Sequence, residues 1–396
     1  MLGIQDNRTK QGFSVTEQKP PKKKVTLALQ GGASYGAFTW GVLDRLLEDE
    51  RIEIVGISGA SAGALNAVAL AYGMDEGGRK GAQNCLRQTW TKLSYEEISK
   101  DMPYLGAKSK VMNKGLSAVF NFLSKYDKRG RVKATQAKIQ GAVIALTSGK
   151  GDFFEDNIGR IIDFDSLKKK QDGIPLFVSA TDIHNHKSRI FDRTDISARA
   201  VKASCALPEI FDDVIINGRL YWDGGFTDNP AITPLKECDA EDIIIIQTLP
   251  ILKRKAPEEQ ATDEDMLYEL LFNASVRKDI QAIQMDNARV RKDPEAAKKL
   301  GIKKINTHII NSGKVMPSKL TMCFDQDHLK TLHDMGYMAA DKFLADHFDK
   351  IGNDSSFTMN TARPPSAHMR YRKENLNDNP KPVPAKKNKN FWKRFF

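Results

Sequence analysis

Between residues 25 and 72 the chain twice follows one order: a short apolar run, a glycine-rich turn, then a helical segment. Val25-Thr26-Leu27-Ala28-Leu29 reads as a buried strand. Gly31-Gly32-Ala33-Ser34-Tyr35-Gly36 follows it, and Phe38 to Leu47 then places Trp40, Leu43, Leu46 and Leu47 on one helical face. Ile52 to Ile57 is a second short strand, Gly59-Ala60-Ser61-Ala62-Gly63 a tight turn, and Ala62 to Tyr72 a helix of small residues. Strand, glycine loop and helix in that succession open a parallel sheet covered by helices, an α/β fold. Leu176 to Ala180 and Ile243 to Ile246 are two further strands, and no internal repeat is visible.

The chain has 396 residues, 40% hydrophobic and 28% charged, enough for one large domain or two small ones. That composition excludes a disordered chain, a collagen-like chain and a small disulfide scaffold. The net charge of +11 suggests a nucleic-acid or membrane partner until it is located. Residues 1–24 carry +4 and residues 381–396 carry +6, which leaves +1 for everything between. The basicity belongs to the ends, so the folded part bears no nucleic-acid footprint. Cys85, Cys205, Cys238 and Cys323 are scattered and form no CxxC pair, which fits a reducing compartment without a zinc site. The N-terminal residues lack the apolar core of a secretory signal, and no run reaches the ~18 apolar residues of a spanning helix. The expectation is a cytoplasmic protein bound peripherally to membrane, with export by a signal-free route still compatible.

Residues 1–24, ending in Lys-Pro-Pro-Lys-Lys-Lys, read as a flexible basic arm. Residues 25–250 form the main α/β domain. Within it, 81–170 is mostly helical and basic, with an amphipathic piece at Val111 to Leu123. Packing helices are the simpler reading of that stripe, and a lid is the alternative. Residues 264–300 and 326–350 read as charged surface helices within a helical part, 251–350, packed on the domain. Residues 351–396 form a flexible tail that ends in Phe391, Trp392, Lys393, Arg394, Phe395 and Phe396. Aromatics beside cations suit an interfacial anchor on an anionic surface, each basic residue contributing roughly 1 kcal/mol.

Gly59 to Gly63 matches the GxSxG nucleophile elbow. Ser61 must sit on a sharp strand-to-helix turn, where side chains at Gly59 and Gly63 would collide with adjacent backbone. The turn exposes the hydroxyl at the carboxyl edge of the sheet, facing the positive end of the next helix. Asp223, followed by Gly224 and Gly225, is the candidate base, although Asp-Gly is also a common hairpin turn. The Gly31–Gly36 loop offers consecutive backbone N–H groups for an oxyanion. A dinucleotide fingerprint fails at Ala33, and no Gly-Lys-Ser/Thr is present for a phosphate loop. His184-Asn185-His186 falls in a hairpin between Ser179 and Phe191, where the histidines are turn residues rather than metal ligands. A Ser–Asp–His triad would draw on His308, His328, His333 or His347.

Taken in order, the Gly31–Gly36 loop, Gly59-Ala60-Ser61-Ala62-Gly63 with Ala64-Leu65-Asn66-Ala67, the Ala203–Phe211 segment and Asp223-Gly224-Gly225 resemble the patatin-like phospholipase family. The likeness covers about residues 25–250. It implies a three-layer α/β/α fold around a mostly parallel sheet, and a Ser–Asp dyad rather than a triad. Ser61 becomes nucleophile, Asp223 proton acceptor, and Gly31, Gly32 and Ala33 the oxyanion hole, with no cofactor and a lipid acyl ester as substrate. Such a dyad requires a desolvated Asp223 within reach of Ser61, because a carboxylate in water is a poor base for serine. The family loop commonly reads Gly-Gly-Gly-x-Arg-Gly; here Ala33 replaces the third glycine and Tyr35 the arginine. Ala33 keeps its N–H, while Tyr35 removes a cation from any headgroup contact. The alternatives are a catalytically quiet lipid-surface adaptor of this fold, and an acyltransferase or thioesterase using the same dyad.

Overall fold

Eight strands form one sheet: β1 (Lys23–Leu29), β2 (Ile52–Ala60), β3 (Leu176–Asp182), β4 (Lys187–Asp192), β5 (Val214–Ile216), β6 (Arg219–Asp223), β7 (Asp242–Gln247) and β8 (Asn306–Asn311). Five helices frame the argument: α1 (Gly36–Glu48), α2 (Ala62–Lys92), α3 (Ala198–Ser204), α4 (Asp263–Lys292) and α5 (Gln326–His347). The computed structural model describes residues 21–98, 153–208, 211–249, 251, 263–313 and 322–359. Those up to 358 belong to one compact unit.

The strand order is β5-β6-β3-β2-β1-β7-β8, with β4 pairing β3 beside that path. β3, β2, β1, β7 and β8 run parallel, whereas β4 and β6 pair β3 antiparallel. Every residue from Thr26 to Leu29, and all of β7, is buried. Burial on both faces explains why these strands read as unbroken apolar runs rather than alternating ones. Val25, Leu27, Leu29, Ile244 and Ile246 join the main core on one face, while Ile243 and Ile245 are buried on the other. The sheet is thus flanked by helices, as the α/β reading requires.

The chain leaves β1 for β2 and β3 on one side, then returns to the other side with β7 and β8. A sheet wound this way opens a crevice at the carboxyl ends of its strands, where the order reverses. Leu29 pairs with both Gly59 and Ile246, so the loops after β1, β2 and β7 leave the sheet at one level.

α2 is two helical arms rather than one rod. Gly77 (φ −157°) and Gly78 (φ 58°) break the helical path, and the second arm folds back along the first. A side chain at Gly73 would meet the backbone of Gly81 and Ala82, so the glycines let the arms touch. Across the sheet's flank, α5 lies on α1 with equal intimacy. A Cβ on Gly41 would strike the His333 carbonyl, and one on Gly336 the Phe38 carbonyl.

The C-terminal part, read from sequence as helices, also supplies β8, which extends the sheet beside β7. Asn306-Thr307-His308 carries too many polar side chains to announce a buried strand. Its polar atoms are matched inside instead: His308 Nε2 to Asp242 Oδ1 at 2.8 Å and Nδ1 to Ser356 Oγ at 2.9 Å. Residues 351–357 continue along this edge, Phe357 N–H donating to the Thr307 carbonyl at 3.1 Å. Strand β1 begins at Lys23, inside the expected arm, and the Lys23 ammonium donates to the Ile351 carbonyl at 2.6 Å. The rest of the arm (1–20), the amphipathic stretch Val111 to Leu123, and the tail aromatics and cations at 391–396 lie outside the described residues.

Candidate active site

Ser61 stands between β2 and α2 at φ 54° and ψ −126°, a conformation L-residues adopt only at a cost. Side chains at two neighbours would destroy the turn: one on Gly59 would overlap the Gly63 carbonyl, and one on Gly63 the Leu29 carbonyl. The first helical amides close onto it, Ala64 N–H reaching the Ser61 carbonyl at 2.8 Å. Its own N–H donates to Ser204 Oγ at 2.9 Å, and Ser204 Oγ–H donates to the Ser179 carbonyl at 2.6 Å. The strained turn is therefore tied to α3 and β3 by one hydroxyl.

Asp223 ends β6. Ala60 pairs with Ser179 and Ala180 pairs with Asp223, so Asp223 and the elbow stand at adjacent levels two strands apart, about 10 Å between backbones. Asp223 is not a hairpin turn; a short 3-10 helix, Gly224–Phe226, follows it. A side chain on Gly224 would hit the Ser179 carbonyl, and one on Gly225 the Phe272 ring. Asp223 is fully buried, its Oδ1 accepting the Gly225 N–H at 2.7 Å. Its Oδ2 is buried without a hydrogen-bond partner among the described residues. Burial pushes this carboxyl up to about 7, against the lowering effects of the Gly225 N–H and the Ser61 hydroxyl. The hydroxyl is thus near enough to act on the carboxylate yet stands short of a formed hydrogen bond. Cys205 adjoins both groups; burial, then the Asp223 charge, raises its thiol well above the usual range.

The glycine loop is fixed from behind. Gly31 N–H donates to Asn229 Oδ1 at 2.7 Å, and Thr248 Oγ1 donates to the Gly31 carbonyl. Gln30 reaches Asn273 of α4 at 2.9 Å and accepts the Leu249 N–H at 3.0 Å. Gly32 lies at φ 150°, with Thr248 where its side chain would be. Ala33 adopts φ 49°, an angle glycine takes freely and alanine takes at about 1–2 kcal/mol. The N–H of Gly31 is therefore committed to Asn229. Those of Gly32 and Ala33 have no hydrogen bond to protein among the described residues. Gly36 opens α1 against Trp90, and Tyr35 is buried beside His328, their ring centroids 6.5 Å apart.

Beside Ser61 an apolar cavity of about 60 Å³ is lined by Ala62, Leu65 and Trp90 of α2 and by Phe154, Leu207 and Phe324. The histidines stand elsewhere or in other partnerships. His308 pairs with Asp242 at the amino end of β7, and Asp242 lies opposite Val25, at the far edge of the sheet from Ser61. His333 pairs with Asp44 at 2.9 Å, and His347 packs on Phe343. His184 and His186 occupy the β3–β4 turn, where Asp182 accepts the His184 N–H. Sequence reasoning missed Asn229, Thr248 and Trp90, and marked Ser204 only as part of the Ala203–Phe211 segment, without its tie to the Ser61 N–H. Asn229, ahead of Pro230 and six residues past Asp223, carried the one available signal: a polar side chain beside the acidic motif.

A serine on a strained strand-to-helix turn, a buried carboxylate beside it and a glycine loop at the same sheet edge define an elbow-serine α/β class. The model of the family described as patatin-like phospholipase matches residues 27–236, just over half of the chain. The chain belongs to that family, whose members are serine lipid acylhydrolases. Over 73 residues it is 37% identical to the lysophospholipase NTE1 of Cryptococcus neoformans, covering 18% of this chain and 4% of that protein. Over 237 residues it is 27% identical to the uncharacterized protein R571 of Acanthamoeba polyphaga mimivirus, covering 55% of this chain and 65% of that one. It thus spans less than two thirds of each. Among solved structures, VipD from Legionella pneumophila aligns with a TM-score of 0.36 at 17% identity, over 83% of this chain and 67% of that one. The ExoU–SpcU complex of Pseudomonas aeruginosa gives 0.32 at 15%, over 84% and 52%.

Proposed function

We propose that this protein hydrolyses lipid acyl esters, as a phospholipase A or lysophospholipase, through a Ser61–Asp223 dyad. The carrying observation is the Asp223 carboxylate: fully buried, one oxygen unpartnered, and pushed up to about 7 beside the Ser61 hydroxyl. A general base works best with a pKa near the operating pH, and burial supplies that here without a histidine.

In this reading Asp223 Oδ2 takes the Ser61 proton as Oγ attacks the ester carbonyl. The tetrahedral oxyanion is held by the N–H groups of Gly32 and Ala33, since Asn229 occupies that of Gly31. The protonated Asp223 then returns its proton to the leaving alcohol. Water, deprotonated by the same carboxylate, attacks the acyl-serine, and Asp223 returns that proton to Ser61 Oγ as the fatty acid is released. The acyl chain occupies the apolar cavity, whose lining suits hydrocarbon and offers no cation to a headgroup.

The test is fatty-acid release from mixed anionic phospholipid and lysophospholipid vesicles. Ser61→Ala and Asp223→Asn should each lower turnover by about 10³-fold or more while vesicle binding persists. Wild-type protein that binds such vesicles and releases nothing would overturn the hydrolase reading in favour of a surface adaptor.

A further inference from the structure

The apolar cavity has a wall that the hydrolase reading does not use. Because α2 folds back at Gly77 and Gly78, its far arm brings Trp90 beside the helix start that carries Ser61. The indole N–H donates to Asn66 Oδ1 at 2.8 Å, and Asn66 Nδ2 donates to the Gly36 carbonyl at 2.9 Å and the Ala62 carbonyl at 3.1 Å. The outer edge of the ring lies where a Gly36 side chain would stand, 2.7 Å from that Cβ position. Trp90 is thus buried, hydrogen-bonded and wedged, so its ring has no other rotamer to offer a ligand. Leu65 and Phe154 are buried beside it, while Leu93, Leu207 and Met322 are only half-buried. The cavity has a rigid floor at the indole and a softer rim.

We propose that Trp90 closes the acyl pocket behind Ser61 and sets the longest chain that the pocket accepts. This rests on the acyl-ester reading above. Ser61, Ala62, Leu65 and the indole line the same apolar cavity, so an acyl chain attached at Ser61 Oγ and laid in that cavity meets the ring. There the tail either ends or turns toward the rim. A fixed apolar wall discriminates by methylene count, each methylene accepted or refused being worth roughly tenfold or more in kcat/KM. Asn66 has no contact with the chain and acts as a positioning residue for the ring.

The experiment has two arms on the full-length protein. In the first, binding of free fatty acids from butyrate to palmitate to the Ser61→Ala variant is measured by calorimetry, with and without Trp90→Leu. In the second, kcat/KM is measured on p-nitrophenyl esters of the same lengths for wild type, Trp90→Leu, Trp90→Phe and Leu93→Trp. Trp90→Leu should raise the long-over-short ratio by at least about tenfold, Trp90→Phe should raise it less, and Leu93→Trp should lower it. Should Trp90→Leu fail to fold, Trp90→Phe and Leu93→Trp decide the matter, since one retains a ring and the other alters the rim. A length profile that is the same in every folded variant, in both arms, overturns the proposal. A binding cut-off that moves with Trp90 in a protein that cleaves no ester keeps the pocket assignment and sinks the hydrolase reading instead.

Discussion

The Asp223 carboxylate couples chemistry to stability with opposite signs. The folded chain holds its proton up to about pH 7, whereas an unfolded aspartate releases it near pH ~4. The unfolded state therefore binds fewer protons between those values, and this group's contribution to stability falls as pH rises through that window. Under the proposed mechanism activity runs the other way, because the base must be ionised: kcat/KM should climb through about pH 7 and level off above it. Asp223→Asn should abolish turnover yet raise Tm, with a gain in stability of about 1–4 kcal/mol at pH 8 that shrinks as pH falls and is small only near pH ~4 and below. A variant less stable than wild type at pH 8 would contradict the buried-charge argument. Ala33 makes a second residue-scale case. At φ 49° it bears a strain that glycine does not, so Ala33→Gly should gain about 0.5–1 kcal/mol in thermal or denaturant unfolding. Its N–H is present in both variants, so turnover should survive the change.

Helix contacts account for what the sequence showed and what it hid. The runs Val25–Leu29, Ile52–Ile57, Leu176–Ala180 and Ile243–Ile246 all fall within strands, because parallel strands buried on both faces write themselves as apolar runs. Ser61 and its glycines were legible for a related reason: a sharp elbow tolerates few side chains, so spacing alone marks it. The roles of Asn229, Thr248 and Ser204 were not legible. Each of these residues acts through one hydrogen bond across a long sequence separation, and a lone Asn, Thr or Ser carries no periodicity. β8 was hidden because it carries polar side chains that find internal partners: Asn306 Nδ2 on Asp242, His308 on Asp242 and Ser356, and Thr307 on the Phe357 carbonyl. Gly41 and Gly336 looked like ordinary helix glycines, yet they let α1 and α5 meet backbone to backbone. Gly41→Ala or Gly336→Ala should cost about 2–4 kcal/mol, because two packed helices must part rather than one side chain turn. Urea unfolding would measure it, and a cost within ~0.5 kcal/mol, as at ordinary surface sites, would mean the helices slide freely.

At the scale of the whole chain, the family-matching stretch 27–236 is not the folding unit. The neighbour of β1 on one side is β7, which in turn pairs β8, and α5 covers α1. A chain ending at residue 250 would expose the edge of β7 and the apolar face of α1. It should fail to give the cooperative unfolding transition of the full chain by circular dichroism. The tail makes a separate expectation at this scale. Deleting residues 381–396 removes six cations and four aromatics, and should weaken binding to anionic liposomes in a salt-dependent way. Salt-insensitive binding, equal with and without the tail, would assign membrane attachment to another surface.

Asp223 and Asn229 stand six residues apart on one short segment, the first beside the Ser61 hydroxyl and the second gripping the Gly31 amide. Under the proposed mechanism, the proton's destination and the cradle for negative charge are therefore cut from a single piece of chain. A residue inserted anywhere from 224 to 228 would change the spacing between them, so that the segment could no longer keep both contacts as they stand.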